Sequence, residues 1–326
     1  MLAAAVQGCP LGCLKKRFTG RRPGDLARVR RTLDGLKEIA VIWSAETRRA
    51  VRSGRVVVLL GLYSMFSVLV LLIVGSIANA LRDEVSARLA DSGNGAEAAT
   101  AVAAEMKKSF LGVLAGNDPA MLEALSQVPV VVLVVFKITL LFLPIYVALM
   151  GFDQLSGEVG PRSIRYVTVR ARRSSLMMGK FLVQASLLVG LVLVIDLGVF
   201  LYARITNPDF TASSLALNLV KYWLAAIVFS LAYVALTTFC SSLFRSPAVS
   251  LVFNFVLLFS FWLMDVVGRA YEGQFLGFAR FVTPSYYSAN LLHPKLSEFG
   301  ISGLAYAGFA LLFLGGAHAV LRARDL

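Results

Sequence analysis

The sequence predicts an all-α polytopic membrane protein: six transmembrane helices, an N-terminal interfacial helix, a helical outer loop between spans one and two, and both termini cytoplasmic. Three observations carry this. Of 326 residues, 58% are apolar and only 16% charged, giving a mean hydropathy of +0.74, well above that of a water-soluble domain. Six apolar runs reach the ~20 residues that cross a ~30 Å hydrocarbon core at 1.5 Å per residue. Lys and Arg number 32 against 19 Asp and Glu, and in so apolar a chain a basic balance points to membrane topology, not to nucleic acid.

The six runs cover residues 56–78, 128–152, 177–203, 215–240, 248–268 and 302–321. The first opens abruptly after Arg55 and the last stops at Arg322, so basic residues pin both ends. With the N-terminus inside, the inner segments hold 21 Lys and Arg and the outer segments 8. Acidic residues run the other way, 7 inside and 10 outside. Basic residues are retained on the cytoplasmic face, so both termini are expected there, in a plasma membrane (a bacterial inner membrane).

Residues 1–35 are basic and punctuated by Gly and Pro, with no apolar region of the kind a cleavable signal requires. They read as a disordered tail attracted to lipid. Cys9 and Cys13 form a lone CxxxC without a second half, and Cys240 sits in an apolar run. Three Cys and two His do not build a structural zinc site, and no metal is expected. Residues 36–55 change character: Leu36, Ile39, Val41, Ile42 and Trp43 precede Arg48, Arg49, Arg52 and Arg55. This pattern predicts an interfacial amphipathic helix, with Trp43 at the headgroups and the arginines toward anionic membrane lipids.

The six-span domain occupies 56–326. Its outer insertion, 79–127, is expected to be helical over 96–114 on propensity, with Asp118 and Pro119 as a second helix start. An outer segment at 269–301 carries Tyr271, Phe275, Phe278, Phe281, Tyr286 and Tyr287, and suits re-entrant helices or an aromatic belt. Within the spans, Lys137 and Asp196 fall at similar depths, roughly 10–14 Å below the outer boundary. An unpaired charge there costs on the order of 2.5–3.5 kcal/mol, so an ion pair between them is expected. Lys221 and Asp265 lie nearer the boundary and are expected to snorkel.

The most informative stretch is GFDQLSGEVGPRSIRYVTVRARRSSLMMGKF, residues 151–181. Charge alone explains its arginines as an orientation signal. The order of its residues goes further and resembles the loop of ABC-2 type transporter permeases, in which an aspartate, Ser-Gly-Glu, a Gly-Thr pair, a basic stretch and Gly-Lys lead from the second span into the third. The matching positions are Asp153, Ser156, Gly157, Glu158, Gly160, Arg165, Arg173, Gly179 and Lys180. The family's Thr is Pro161 here, and its Arg-Pro step is Arg170-Ala171. The segment PSYYSANLL at 284–292 is similar to the Pro-aromatic-aromatic stretch before that family's last span.

The resemblance implies a permease subunit of an ABC transporter, acting in export and paired with a second permease chain as a homodimer or related heterodimer. The chain holds no GxxxxGK[ST] loop, since its Gly-Lys is followed by Phe181, so hydrolysis falls to a separate ABC ATPase subunit in trans that carries ATP and Mg. That subunit is expected to dock under the 153–176 coupling loop, with Asp153, Ser156, Gly157, Glu158, Arg165, Arg170 and Arg173 as the coupling residues. Two further classes are weighed. An intramembrane enzyme finds no support: Asp196 and Asp265 are the only membrane aspartates and neither lies in a GxGD-like setting, while His293 and His318 fall near opposite faces. An ion-coupled secondary transporter would use Lys137 and Asp196 as its relay.

Overall fold

The computed structural model describes residues 23–52, 54–90, 112, 123, 130–160, 171–206, 212–271, 275–293 and 295–324. These form eight α-helices: α1 (Pro23–Arg52), α2 (Arg55–Ala90), α3 (Val130–Gly151), α4 (Ser156–Val159), α5 (Arg173–Thr206), α6 (Ala212–Leu243), α7 (Pro247–Ala270) and α8 (Leu296–Ala323). Two 3-10 segments, Phe275–Val282 and Tyr286–Leu292, lie between α7 and α8. Among the described residues no strand occurs, as expected where every backbone group must be satisfied within its own segment.

Among the described residues five helices are long and apolar enough to cross a membrane: Phe136–Val159, Arg173–Tyr202, Ala216–Leu243, Pro247–Ala270 and Leu296–Ala323. α2, read in the sequence as the first span, contributes the shorter described apolar stretch Leu60–Val70. α6 is the central helix and packs against α3, α5, α7 and α8. Its small side chains explain why: Ala225, Ala226, Ala232, Ala235, Ser241 and Ser242 are almost wholly buried, and short side chains let neighbouring helices approach closely. Of its apolar window 72% is buried, against 17% for α7 and α8, which line the outside of the bundle.

Two boundaries differ from the sequence reading. α1 begins at Pro23, inside the tail expected to be disordered; Leu26, Val29, Leu33 and Leu36 recur at helical spacing ahead of the 36–55 segment, and proline is favoured in a first turn. α2 continues through residues 79–90, where Leu81, Val85 and Leu89 keep a four-residue spacing among helix-forming residues. The helix expected at 96–114 and the start at Asp118-Pro119 lie outside the described residues.

Between α1 and α2 the chain reverses at Gly54, whose φ of 71° is a left-handed conformation that a side chain disfavours. The connectivity places the start of α5, the ends of α3, α6 and α8, and the α4 turn on one face of the bundle, hereafter the loop face. The 3-10 segments, the end of α7 and the start of α8 lie on the other. One segment packs on α7 and the other on α8. Tyr306 donates to the Pro284 carbonyl at 2.6 Å, and Tyr287 to the Phe281 carbonyl at 3.2 Å.

Candidate functional site

On the loop face, α3 ends at Gly151 and the chain turns at once into the four-residue α4. The turn is held by hydroxyls of the central helix, where Thr238 Oγ1 donates to Gln154 Oε1 at 3.2 Å. Ser241 Oγ accepts from the backbone N–H of Leu155 (2.9 Å) and of Ser156 (3.1 Å), and donates to the Phe152 carbonyl at 3.0 Å. Ser156 Oγ also donates to Phe152 O, at 2.8 Å. Asp153 contributes its backbone, whose carbonyl accepts from Gly157 N at 2.9 Å. Gly160 closes the turn against the α6–α7 connection, where a Cβ would stand 2.8 Å from the Arg245 carbonyl oxygen.

Glu158 points from this turn into the bundle. Its Oε1 lies 2.7 Å from Lys180 Nζ, about two turns into α5, and the same ammonium lies 3.6 Å from Glu46 Oε1 on α1. Lys180 is only 7% exposed, and the two carboxylates are partly buried at 20% and 27%. A buried cation so placed is retained because two acids compensate it. Next to it, Gly179 lets α1 cross α5 at close range: a Cβ there would stand 2.6 Å from Ile42 Cγ2. Further along the crossing, Trp43 Nε1 donates to Ser186 Oγ at 3.0 Å.

Arg173, the first residue of α5, serves the opposite side of the loop. Its guanidinium donates to the carbonyls of Leu321 (3.1 Å), Arg322 (3.3 Å) and Arg324 (2.9 Å), which are the unpaired acceptors at the end of α8. Arg324 in turn donates to Leu243 O at the end of α6. Burial, and then the like charge of Arg245, hold the Arg324 guanidinium below its usual range. Both described ends of the 153–176 loop are thus fastened to the protein's own helices.

Of the residues expected from sequence, Asp153, Ser156, Gly157 and Glu158 gather in this one turn, with Arg173 at the loop's other end. Arg165 and Arg170 lie outside the described residues. Arg48, Arg49 and Arg52 are exposed and, with Ala45, line one open groove along α1. Arg49 lies 3.9 Å from Glu46, and the Arg55 side chain lies outside the described residues. Trp43 is 40% exposed, so it meets both the surroundings and α5. Sequence reasoning missed Glu46 and Ser241. Glu46 follows Ile39 and Ile42 at helical spacing, a signal that it shares the face packed on α5.

Two expectations for intramembrane charges are corrected. No ion pair joins Lys137 and Asp196: Asp196 is buried while Lys137 is exposed, and the charge nearest the lysine is the like charge of Arg269. Equal depth did not decide the matter, because Thr139 and Tyr146, buried on α3, stand roughly 160–180° around the helix from Lys137. Asp265 does not snorkel. It is 4% exposed, paired with Arg269 at 2.5 Å and reached by Arg280 Nε at 3.9 Å. Arg280 also lies over the Tyr286 ring, 5.1 Å from its centroid.

A turn clamped on the central helix, a buried lysine shared by three elements and an arginine tying the last helix together make one mechanical unit on the loop face, and nothing in it supplies a nucleophile with its base. Comparison with known proteins agrees with a transport role. No individual curated protein matches the chain. The model of the ABC-2 family transporter proteins matches residues 40–296, from the middle of α1 to the start of α8. The chain is a membrane-embedded, multi-pass protein that belongs to this family, and so is the membrane transport subunit of an ABC transporter and not itself a catalyst.

Proposed function

We propose that the chain is the permease subunit of an ATP-driven exporter in the plasma membrane, driven by a separate ATPase subunit that docks on the 153–176 loop. ATP and Mg belong to that partner. Two permease chains, identical or related, and two ATPase chains enclose one pathway. The N- and C-termini face the cytoplasm, as the excess of basic residues on the loop face requires. α2 completes a set of six spans, since its apolar stretch lies within a helix of 36 residues, about 54 Å long at 1.5 Å per residue.

The observation that carries this reading is the double fastening of the loop: Glu158 to Lys180 and Glu46 at one end, Arg173 to the end of α8 at the other. A force applied to such a loop moves α1, α5 and α8 as a body, the rigid-body transfer by which packed helices pass on motion. α1 rides on the membrane surface, with its exposed Leu36, Val41 and Val51 toward lipid and its arginines toward headgroups. Export is the direction that the family resemblance implies.

Purification of the tagged chain from its native membrane in mild detergent tests the reading. The expected result is a stoichiometric subunit with a phosphate-binding Walker loop and ATPase activity, weakened when Glu158 and Arg165 are both replaced. Flux driven by an ion gradient in liposomes of the chain alone, with no such subunit, would overturn it.

A further inference from the structure

Asp196 stands in α5 with 7% of its surface exposed, and its Oδ2 atom has no hydrogen-bond partner among the described residues. Further buried hydroxyls lie on the neighbouring helices. Tyr63 and Ser67 on α2 and Thr139 and Tyr146 on α3 are all at most 6% exposed, and the hydroxyls of Tyr63, Ser67 and Tyr146 have no partner among the described residues. The Tyr63 and Tyr146 rings meet edge-on at 5.2 Å. The Tyr63 hydroxyl lies near Thr139 of α3 and within electrostatic range of Asp196. Three helices therefore deliver one carboxyl group and several hydroxyl oxygens to one buried place in the apolar bundle.

Among the described residues no cation compensates that carboxyl group. On α3, Lys137 lies on the far side of the helix from Thr139 and Tyr146. On α6, Tyr222 is packed between Phe136 and Phe200, and Lys221 is exposed. α1 and α8 meet α5 near its loop-face end, through Lys180 and Arg173; Lys180 is 16 residues from Asp196, roughly 24 Å along the helix. Burial dominates the surroundings of Asp196.

A lone carboxylate in such a setting is expensive and marks a functional position. We propose that Asp196, with Tyr63, Ser67 and Thr139, forms an intramembrane binding site for one monovalent cation, carried either as a proton on the carboxyl group or as a sodium ion among its oxygens. The single positive charge follows from the single acid, because a divalent ion would leave a net charge buried. The hard-cation preference follows from an all-oxygen donor set. The site is independent of the molecule the transporter carries and of the partner at the loop face.

The test is the thermal midpoint of the full chain, with its co-purifying partners, in lipid nanodiscs. It is measured across mildly acidic to mildly alkaline pH in sodium chloride or in choline chloride of equal ionic strength, together with infrared spectra of the carboxyl region. A ligand that binds the folded state raises its midpoint, so in choline the midpoint is expected to fall as pH rises. Restoration by sodium identifies the ion as occupant. A protonated-carboxyl band that sodium does not displace, and that Asp196→Asn removes, identifies the proton. Asp196→Asn is expected to abolish both responses. Tyr63→Phe, which keeps the ring, is expected to shift the pH or sodium midpoint by about tenfold in concentration, the equivalent of one hydrogen bond. A wild-type protein that responds to neither pH nor sodium, an Asp196→Asn variant that responds as wild type does, or an unshifted Tyr63→Phe would overturn the proposal.

Discussion

The ammonium of Lys180 is 2.7 Å from the carboxylate of Glu158, and this contact joins the turn after α3 to the start of α5. Glu46 of α1, at 3.6 Å, makes the lysine a three-way junction. Removing one partner of a buried pair leaves the other uncompensated, at a typical cost of 3–5 kcal/mol. Glu158 keeps some contact with solvent, so Lys180→Met is expected to destabilise the folded permease by about 3 kcal/mol, toward the lower end. Combined with Glu158→Gln the loss should be smaller than the sum of the two singles, by roughly 0.5–3 kcal/mol. Equilibrium unfolding in mixed micelles measures both quantities.

The close crossing of α1 over α5 depends on Gly179. Gly179→Ala places a methyl group 2.6 Å from Ile42 Cγ2, and overpacking of this kind typically costs 1–3 kcal/mol. Ile42→Ala in the same chain should restore only part of the loss, because the Ile42 Cβ that alanine keeps also lies 2.9 Å from the new methyl group. Gly160→Ala should not be rescued by any side-chain change, because its obstacle is the Arg245 backbone carbonyl. Thermal midpoints of these three variants and of wild type distinguish the two kinds of contact.

Arg173 donates to three carbonyls at the end of α8. Hydrogen bonds from a charged donor are worth about 1.5–3 kcal/mol, so Arg173→Ala is expected to fray the last turn of α8. Arg173→Lys, a point charge without the planar fork, should recover only part of it. Hydrogen exchange over residues 316–324 reads the effect directly, with faster exchange in Arg173→Ala than in Arg173→Lys, and the slowest in wild type.

On the far face, Asp265 fastens Arg280 of the first 3-10 segment to α7. In Asp265→Asn the acid that compensates two guanidinium groups is gone. Amide exchange in residues 275–293 is expected to accelerate, while the loop face is unchanged.

Much of this architecture was visible in the chain. Apolar runs of the right length located the long helices, and the order of residues in 151–181 singled out Glu158, Gly179 and Lys180, which the fold brings to one junction. Helix boundaries were harder, because α1 and α2 are amphipathic beyond their apolar cores and their charged turns resemble loops on hydropathy alone. Charge partners were hardest. Lys137 and Asp196 share a depth but not a facing side, and Asp265 meets Arg280 only because the 3-10 segment folds back onto α7, a contact that no local periodicity announces. Ser241 was hidden for a similar reason, as a small polar residue in an apolar helix gives no sign of which turn it will clamp.

The central claim is that a separate ATPase subunit bears on the 153–176 loop. The most direct measurement places a photo-crosslinking side chain at Gly157 of the full chain and irradiates intact membranes. The account predicts one dominant adduct with a subunit that carries a Walker loop, at a yield reduced by Lys180→Met. Adducts with lipid alone, or an ATPase captured equally well from a control position on the far face such as Phe278, would contradict it.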